Sequence, residues 1–226
     1  MKKLLIPLLF IFVLPASFSC GSSRLAGYRL TEADAIAAIR QLLEIGSRDG
    51  IRGAFSKDAI MSVVFPGELR KLMNTLQQLG LSGEVDRFTT TLSMAAEKTA
   101  ERSIPIFLKG IADLKFTDAI RIVKNGGTSA TDYLRTSIGP DLRRAITPVM
   151  QTALDEYKLG EQWSKVTKPV QALTGNIINL DLANLMAGLV SEKMFQKIGE
   201  KETQVRTDAS ARTSGLLQKV FSRKWN

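Results

Sequence analysis

The sequence predicts an all-α fold: an irregular bundle of about nine or ten helices that follows a cleaved signal peptide. Apolar residues recur at helical spacing along most of the chain, whereas the alternation typical of a half-buried strand is nearly absent. Glycines and prolines interrupt these stretches at short intervals and set the expected number of helices. The 207 residues after position 19 can bury a sizeable core, so we expect one helical domain over residues 30–226.

The first nineteen residues have the order of a secretory signal peptide. Lys2 and Lys3 precede an apolar run from Leu4 to Leu14, and small side chains follow. That run is too short to span a bilayer, and no later stretch is long and apolar enough to do so. We therefore expect residues 1–19 to be removed from an exported protein.

Cys20, the only cysteine, stands where the signal peptide should end. In a bacterial lipoprotein this thiol receives a diacylglyceryl group, whose apolar chains enter the bilayer. The alternative is ordinary cleavage after Ser19, which leaves an odd thiol in an oxidising compartment. We favour lipidation, with residues 20–29 as a tether. We expect a periplasmic location on a membrane, and the uncharged Gly21 favours the outer one over the inner one.

Helix boundaries in the first half follow from caps and glycines. Thr31 and Asp34 form a capping box for a helix that Gly46 is expected to end. The run 60–65 is either a short strand or a buried helical turn. Further boundaries are a polar loop over 47–53, a helix from about 69 to Gly80, another over 85–95, and one from Pro105 to Leu114.

In the second half, Asp118 is expected to cap a short helix that ends at Gly126 and Gly127. Gly139 and Pro140 are expected to begin a longer helix. The other predicted elements are a restart over 128–135, a kink at Pro148, an end near Tyr157, a segment around Trp163 between Gly160 and Pro169, a helix from Asn179 or Asp181 to Gly199, and a last helix capped by Thr213.

The residue types exclude most catalytic sites. The chain contains no histidine and one cysteine, so it cannot build a histidine-based triad, a typical zinc site or an internal disulfide. Carboxylate chemistry would remain, and its candidates are Glu97, Glu101, Asp113 and Asp118. Lys98 and Arg102 lie nearby, which favours solvated charged faces instead. We expect no enzyme, no metal and no cofactor.

The net charge of +9 points to acidic partners, and export disfavours nucleic acid among them. The alternative, which we favour, is a surface whose extra lysines and arginines only aid solubility. Residues 197–226 hold seven Lys or Arg against three Asp or Glu, and Arg223, Lys224 and Trp225 lie together at the end. Basic residues beside an aromatic one suit an anionic membrane surface. The alternative, which we favour at this stage, is a last helix that packs on the core and ends in a soluble tip.

The segment from Lys124 to Ser129 supports an anion-binding hypothesis. Gly126 and Gly127 precede Thr128 and a predicted helix, and such a turn can direct several backbone N–H groups at one anion. The alternative is a plain helix–loop–helix connection, with glycine ending one helix and Thr128 capping the next. We favour the connection, because the strand and the lysine of a P-loop are missing.

Several short pieces of the sequence carry a family resemblance in their order and spacing. They are Asp34–Leu43, Pro66–Arg70, Met94–Glu97, Phe116–Ile120, the stretch 126–134 with Ala-Thr-Asp-Tyr, Ala211–Ser214 and Leu216–Phe221. Through them, roughly residues 30–222 resemble the uncharacterised bacterial family named domain of unknown function 4197. Lys115-Phe116 and Leu134 depart from the usual pattern. The resemblance implies an exported, mainly helical, often lipid-anchored protein without an assigned activity.

The resemblance also implies that residues 118–135 and Arg212-Thr213 form the most distinctive surface. Together with the glycine turn, it gives our candidate contacts for an anion or another ligand: Gly126, Gly127, Thr128, Thr131, Tyr133, Arg135 and Arg212.

Two functions stay open at the level of sequence. The first is a lipid-anchored, non-enzymatic binding or structural module of the envelope, with a membrane, an envelope protein or a cell-wall polymer as partner. The alternative is a periplasmic carrier of a small apolar ligand or lipid, with Met and Phe side chains lining a cavity between helices.

Overall fold

The computed structural model describes residues 28–49, 54–56, 74–174 and 181–225. These ranges contain helices and no strand, so the all-α prediction is confirmed for them. Eight helical elements have described bounds, slightly fewer than expected. They are α1 (Glu32–Asp49), α2 (Ser82–Asp113), α3 (Ala119–Asn125), α4 (Ser129–Glu156), α5 (Leu159–Thr174), α6 (Leu182–Thr207), a 3₁₀ turn (Ala209–Ala211) and α7 (Gly215–Phe221).

Some predictions fall on other residues. The signal peptide, Cys20, the run 60–65 and the possible cap Asn179 lie outside the described residues, as do residues 50–53 and 57–73. Residues 74–78 are helical and lead to Gly80, whose φ of 79° suits the end of a helix.

Prolines do not begin or divide helices where we expected them to. Pro105 lies inside α2 and Pro140 lies inside α4, so two pairs of predicted helices are each one helix, whereas Pro148 lies inside a helix as expected. An internal proline costs about 3 kcal/mol or more because a backbone hydrogen bond is lost. Buried side chains on both sides, such as Phe107 in α2 and Ile146 in α4, keep the helices continuous through their packing.

Two glycines predicted to end helices lie inside them. α1 continues past Gly46 to Asp49, and α6 continues past Gly199 to Thr207. A Cβ atom on Gly46 would lie 3.1 Å from the Cα of Ile198, and one on Gly199 would lie 3.3 Å from Cγ2 of Thr128. These glycines therefore allow α6 to approach α1 and α4 closely, a packing role that the sequence pattern did not separate from termination.

The end of α5 and the start of α7 also differ from expectation. Gly160 is the second residue of α5, so the break before the segment around Trp163 lies close to where we expected it, whereas Pro169 lies within α5 and does not end that segment. The cap of α7 is Ser214, whose Oγ accepts a hydrogen bond from Leu217 N at 3.2 Å, and not Thr213. The sequence pattern placed this cap one residue too early because both hydroxyl side chains suit the position.

Three predicted caps are confirmed by their hydrogen bonds. Asp118 accepts a bond from the backbone N–H of Arg121 at 2.9 Å, and Asp181 accepts one from Asn184 at 2.9 Å. The hydroxyl of Thr31 accepts a bond from the N–H of residue 34 at 3.1 Å. Each cap satisfies a donor that the first turn of a helix leaves unpaired.

The helices share one continuous apolar core. α4 packs most extensively on α6 and α2, α1 packs on α6, α5 covers part of α2, and α3 and α7 pack on α1. Phe107 and Phe195 meet edge-on with ring centroids 5.3 Å apart, in the arrangement that aromatic pairs prefer. This packing brings the C-terminal half of α6 beside α3, α7 and the start of α4.

None of the described helices is both long enough and apolar enough to cross a membrane.

Candidate functional site

The N-terminus of α4 binds one of the protein's own carboxylates. Glu202 of α6 is completely buried, and its Oε1 accepts a hydrogen bond from Ala130 N at 2.9 Å. Its Oε2 accepts bonds from the backbone N of Thr131 at 2.8 Å and from the Thr131 hydroxyl at 2.6 Å. A helix N-terminus favours a negative charge at this position. The two N–H groups that bind Glu202 belong to the first turn of α4, directly after the predicted anion-binding segment.

Arg206, one turn after Glu202, completes this arrangement. Its Nε and Nη2 donate to Glu202 Oε1 at 3.0 and 2.8 Å, and Nη1 donates to the carbonyl of Val123 at 2.9 Å. Its Nη2 also lies 3.2 Å from the Ile122 carbonyl, and the guanidinium lies 5.0 Å from the ring centroid of Phe221. We call Glu202 and Arg206 the buried pair, in which both charges are hydrogen-bonded within the protein.

An open cleft with a volume of about 380 Å³ lies beside the buried pair. Nine described residues line it, and none of these is acidic. They are Val123, Lys124, Gly126, Gly127, Arg206, Phe221, Arg223, Lys224 and Trp225, and we call the cleft that they form the basic cleft. The fold thus brings the glycine turn and the basic C-terminal tip, which the sequence suggested separately, to one surface.

The glycine turn has the backbone that glycine favours. Gly126 has a φ of 70° and a ψ of −159°, and Gly127 has a φ of 56°. The first combination is essentially restricted to glycine. The turn therefore bends the chain from α3 into α4 and leaves its backbone at the wall of the basic cleft.

The first described residue packs against the C-terminal tip. The rings of Tyr28 and Trp225 meet edge-on with centroids 5.7 Å apart, and Lys219 Nζ lies 3.9 Å from the Tyr28 centroid. The Tyr28 hydroxyl donates to Asp34 Oδ2 at 2.6 Å, and Lys219 Nζ lies 3.2 Å from the same oxygen. We call Tyr28, Asp34, Lys219 and Trp225 the terminal junction. Trp225 belongs to it and also lines the basic cleft.

The terminal junction shifts two pKa values. Burial raises the pKa of Tyr28 to about 12, and the hydrogen bond to Asp34 adds to this effect. The Tyr28 hydroxyl and then Lys219, as donors to the carboxylate, hold the pKa of Asp34 below its ordinary value. At neutral pH the junction therefore contains a neutral phenol and a charged carboxylate.

The other predicted contacts do not line the basic cleft. Thr128, Thr131 and Arg135 line a second open depression of about 290 Å³ between α4 and α6, together with Asp132 and Glu200. The Thr128 hydroxyl donates to Asp132 at 2.9 Å. Arg135 lies 2.9 Å from Glu192 and stacks over Phe195. The carboxylates make this depression a poorer anion site than the basic cleft.

Tyr133 and Arg212 lie elsewhere again. The Tyr133 hydroxyl donates to the Lys115 carbonyl at 2.6 Å, and its ring stacks on Phe116, so it holds the connection from α2 to α3. Arg212 donates to the carbonyls of Val205 and Arg206 at 2.9 and 3.0 Å, at the C-terminal end of α6. Of the seven candidates, only Gly126 and Gly127 line the basic cleft, and their binding of an external ligand stays a prediction.

Three of the carboxylates considered for catalysis lie on α2, and the fourth, Asp118, caps α3. Glu97 is half-buried on α2, and the other three each pair with a nearby basic side chain. Those pairs are Glu101–Lys98 at 3.6 Å, Asp113–Lys109 at 2.6 Å and Asp118–Arg121 at 3.1 Å. Within the described ranges, no three Asp, Glu, His or Cys side chains are grouped closely enough to hold a metal ion.

Sequence reasoning missed Glu202, Arg206 and Tyr28. The spacing of Glu202 and Arg206 is four residues and is visible in the sequence, but it is typical of a solvent-exposed pair on a helix. Tyr28 fell in the stretch assigned to the tether. Contacts with distant elements decide all three roles.

No curated protein and no solved structure shows significant similarity to the chain. The family described as "Protein of unknown function (DUF4197)" matches residues 29–222. The match includes the buried pair and most of the basic cleft, and it stops before Arg223, Lys224 and Trp225. Because this match covers most of the sequence, the chain belongs to the DUF4197 family.

Proposed function

We propose that the mature chain is exported to the periplasm, is anchored by a lipid on Cys20 and serves the bacterial envelope as a non-enzymatic binding module. The observation that carries the binding role is the basic cleft, an open surface with four cationic side chains and no acidic lining residue among those described. A surface of one sign attracts ligands of the opposite sign. Anionic groups of the envelope are therefore its ligands.

The sequence around Cys20 supports the anchor. A positive start, an apolar run and small residues precede the lone cysteine, and an unmodified thiol in an oxidising compartment would be exposed to side reactions. The uncharged Gly21 favours the outer membrane as the anchored site. Two or more acyl chains hold a protein on a bilayer far more firmly than one does.

The polar groups of the structure support binding without catalysis. Carboxylates are among the general acids and bases that a histidine-free chain can offer. Of the carboxylates that the structure describes, the most buried, Glu202, is bound by two backbone N–H groups, a hydroxyl and Arg206. A carboxylate that is bound in this way stabilises the fold and is not positioned to take a proton from a substrate.

The carrier of an apolar ligand gains no comparable support. Met150, Met186 and Met194 are buried in the continuous core, where they pack among other apolar side chains. Met94 is half exposed on the surface of α2. The methionines described here thus act as core filler, with one exception on the surface.

The anchor is tested by replacing Cys20 in the full chain. Residues 1–19 are first exchanged for the signal peptide of an ordinary secreted protein, so that cleavage continues without a lipidated cysteine. With Cys20→Ala in this background, we expect the protein in the soluble periplasmic fraction, whereas the unaltered chain sediments with membranes. Equal membrane retention of the two proteins would refute the anchor. The control Ser22→Ala, with the native signal peptide, should stay on membranes.

A further inference from the structure

We infer that the basic cleft binds the phosphate headgroups of an anionic phospholipid bilayer, so that this end of the molecule faces the membrane. The inference names the partner of the site proposed above. Its orientation on the membrane rests on the proposed anchor, whereas the affinity of the cleft for anionic lipid does not. The two ideas can therefore fail separately.

The described chain begins beside the basic cleft, a short distance along the sequence from Cys20. Tyr28 follows Cys20 by eight residues, and even a fully extended chain of that length spans at most about 29 Å. The Tyr28 ring packs on Trp225, which lines the basic cleft. A lipid on Cys20 is therefore held within about 29 Å of Tyr28, the residue that packs on the wall of the cleft.

The rim of the basic cleft combines cationic side chains with a tryptophan, which suits an anionic membrane surface. Lys124 and Lys224 are exposed, and Arg223 lies 5.1 Å from the Trp225 ring. Each Lys or Arg near an anionic bilayer contributes about 1 kcal/mol, or roughly a fivefold gain in binding. Tryptophan is enriched where membrane and water meet, because its ring is apolar and its N–H is polar.

Arg206 has a different part in the cleft. Its charge is balanced by Glu202, and its side chain is 10% exposed. Arg206 therefore forms the wall of the cleft and fixes the position of the Phe221 ring beneath it. Lys124, Arg223 and Lys224 form the cationic rim of the cleft, and their summed positive charge attracts an external anion.

The shape of the cleft and its location favour a headgroup over a free anion. The cleft is open, and the buried cationic donor among the described residues that line it, Arg206, is bound to Glu202. A surface of this kind binds a single phosphate weakly. A tether increases the occupancy of such a weak site, because binding by an anchored module is intramolecular. The effective concentration then reaches millimolar values for short linkers. Weak contacts with many headgroups then suffice to orient the protein.

The test uses the mature chain, residues 20–226, with Cys20→Ser so that no lipid contributes. Vesicles of phosphatidylcholine alone are compared with vesicles that also contain phosphatidylglycerol, and bound protein is measured by sedimentation. We expect binding to the anionic vesicles, a loss of binding at high salt, and little binding to phosphatidylcholine. The double variant Lys124→Gln/Lys224→Gln should bind about 25-fold more weakly, at fivefold per charge.

The matched control removes the same charge from another surface. Lys165 and Lys168 are exposed on α5 and do not line the basic cleft. The variant Lys165→Gln/Lys168→Gln should keep most of the binding. Equal losses in the two double variants would overturn the inference, because the attraction would then depend on net charge and not on the cleft. Equal binding to both kinds of vesicle would overturn it as well.

A fluorescence measurement addresses the orientation directly. In a Trp163→Phe background, Trp225 is the remaining tryptophan, so its emission reports on the cleft alone. We expect brominated phosphatidylglycerol vesicles to quench this emission, and Lys124→Gln/Lys224→Gln to reduce the quenching. Unquenched emission from vesicle-bound protein would overturn the inference.

Two further probes separate other sources of anion. Inorganic phosphate that shifts the Trp225 emission, without any binding to anionic vesicles, would overturn the inference in favour of a soluble ligand. Sedimentation with purified cell-wall sacculi but not with vesicles would overturn it in favour of a wall polymer. Binding to vesicles, suppressed by the cleft variant and kept by the control, supports it.

Discussion

The buried pair and the basic cleft share Arg206, but the charged groups of the two regions have opposite surroundings. In the buried pair, Glu202 is completely buried and accepts hydrogen bonds from Ala130, Thr131 and Arg206. In the basic cleft, Lys124, Arg223 and Lys224 are presented with no acidic residue among the described lining. One region pairs its cation with a buried carboxylate, and the other gathers cationic side chains at the surface.

Stability and binding therefore depend on different regions of this chain. Removing one partner of a buried, hydrogen-bonded ion pair leaves an uncompensated charge, which destabilises a protein strongly. Removing an exposed lysine changes the free energy of unfolding little but weakens the attraction for an anionic surface. Variants in the two regions should therefore separate into one class that affects folding and one that affects binding.

The largest expected effect is that of Glu202→Gln. The substitution leaves Arg206 buried without its counter-ion and weakens the hydrogen bonds from the start of α4. We expect the free energy of unfolding to fall by about 3–5 kcal/mol, measured by urea denaturation. Glu200→Gln is the matched control, because Glu200 lies half a turn earlier on α6 and is 45% exposed. Its effect should be below about 1 kcal/mol. Equal stability of the two variants would contradict the distinction between the regions.

Gly126→Ala should have the next largest effect. Its backbone combination of φ 70° and ψ −159° is unfavourable for a residue with a Cβ atom, at a cost of about 1–3 kcal/mol. No heavy atom lies within 4 Å of the added methyl group, so the loss comes from the backbone and not from a clash. Gly83→Ala in α2 is the control, also without a near neighbour, and should be neutral or stabilising. A neutral Gly126→Ala would mean that the turn does not need this conformation.

The smallest expected effect concerns the terminal junction at high pH. The pKa of Tyr28 lies at about 12, above its ordinary value of 10.0, so the folded state binds this proton more tightly than the unfolded state. The associated stabilisation is complete below pH 10 and is lost as the pH rises towards about 12. The groups that face Tyr28 are Asp34, Lys219 and Arg223.

Absorbance of the phenolate measures this titration. Wild type contains three tyrosines, and the difference between wild type and Tyr28→Phe isolates one of them. We expect that difference to have its midpoint near pH 12. The control Tyr157→Phe should leave this late transition in place. A midpoint near pH 10 would show that the junction does not hold Tyr28 as described.

Asp34 gives the terminal junction a second pH dependence, on the acid side. Its pKa is lower in the folded state, because the Tyr28 hydroxyl and Lys219 donate to its carboxylate. The resulting stabilisation is present above the ordinary carboxyl pKa and is lost as the pH falls through the lower folded value. We therefore expect the stability difference between wild type and Asp34→Asn, measured by urea denaturation, to shrink in acid. A difference that is unchanged by acid would contradict the hydrogen bonds at Asp34.

The helical class and several caps could be predicted from the sequence because they depend on local features. Apolar spacing reports which face of a helix is buried, and Asp118 and Asp181 satisfy N–H groups only three residues away. The helix ends predicted at Gly46 and Gly199 and the helix start predicted at Pro105 were wrong because packing against distant helices decided them. A glycine that ends a helix and a glycine that allows a close approach look the same in the sequence.

The candidate site was predictable only in pieces. The glycine turn and the basic tip stood out separately, because their residue types are unusual at those positions. Their meeting in one cleft depends on α3, α6 and α7, which no local pattern reports. The burial of Glu202 was equally hidden, because a Glu–Arg spacing of four residues is common on exposed helices.

A lipid on position 20 is what brings the basic cleft to a membrane in this account. The mass of the N-terminal peptide of the mature protein shows whether that lipid is present. Mass spectrometry of membrane-extracted native protein should give a first residue of Cys20 with the added mass of a diacylglyceryl group. A first residue other than Cys20, or a Cys20 with the mass of the plain amino acid, would contradict the account.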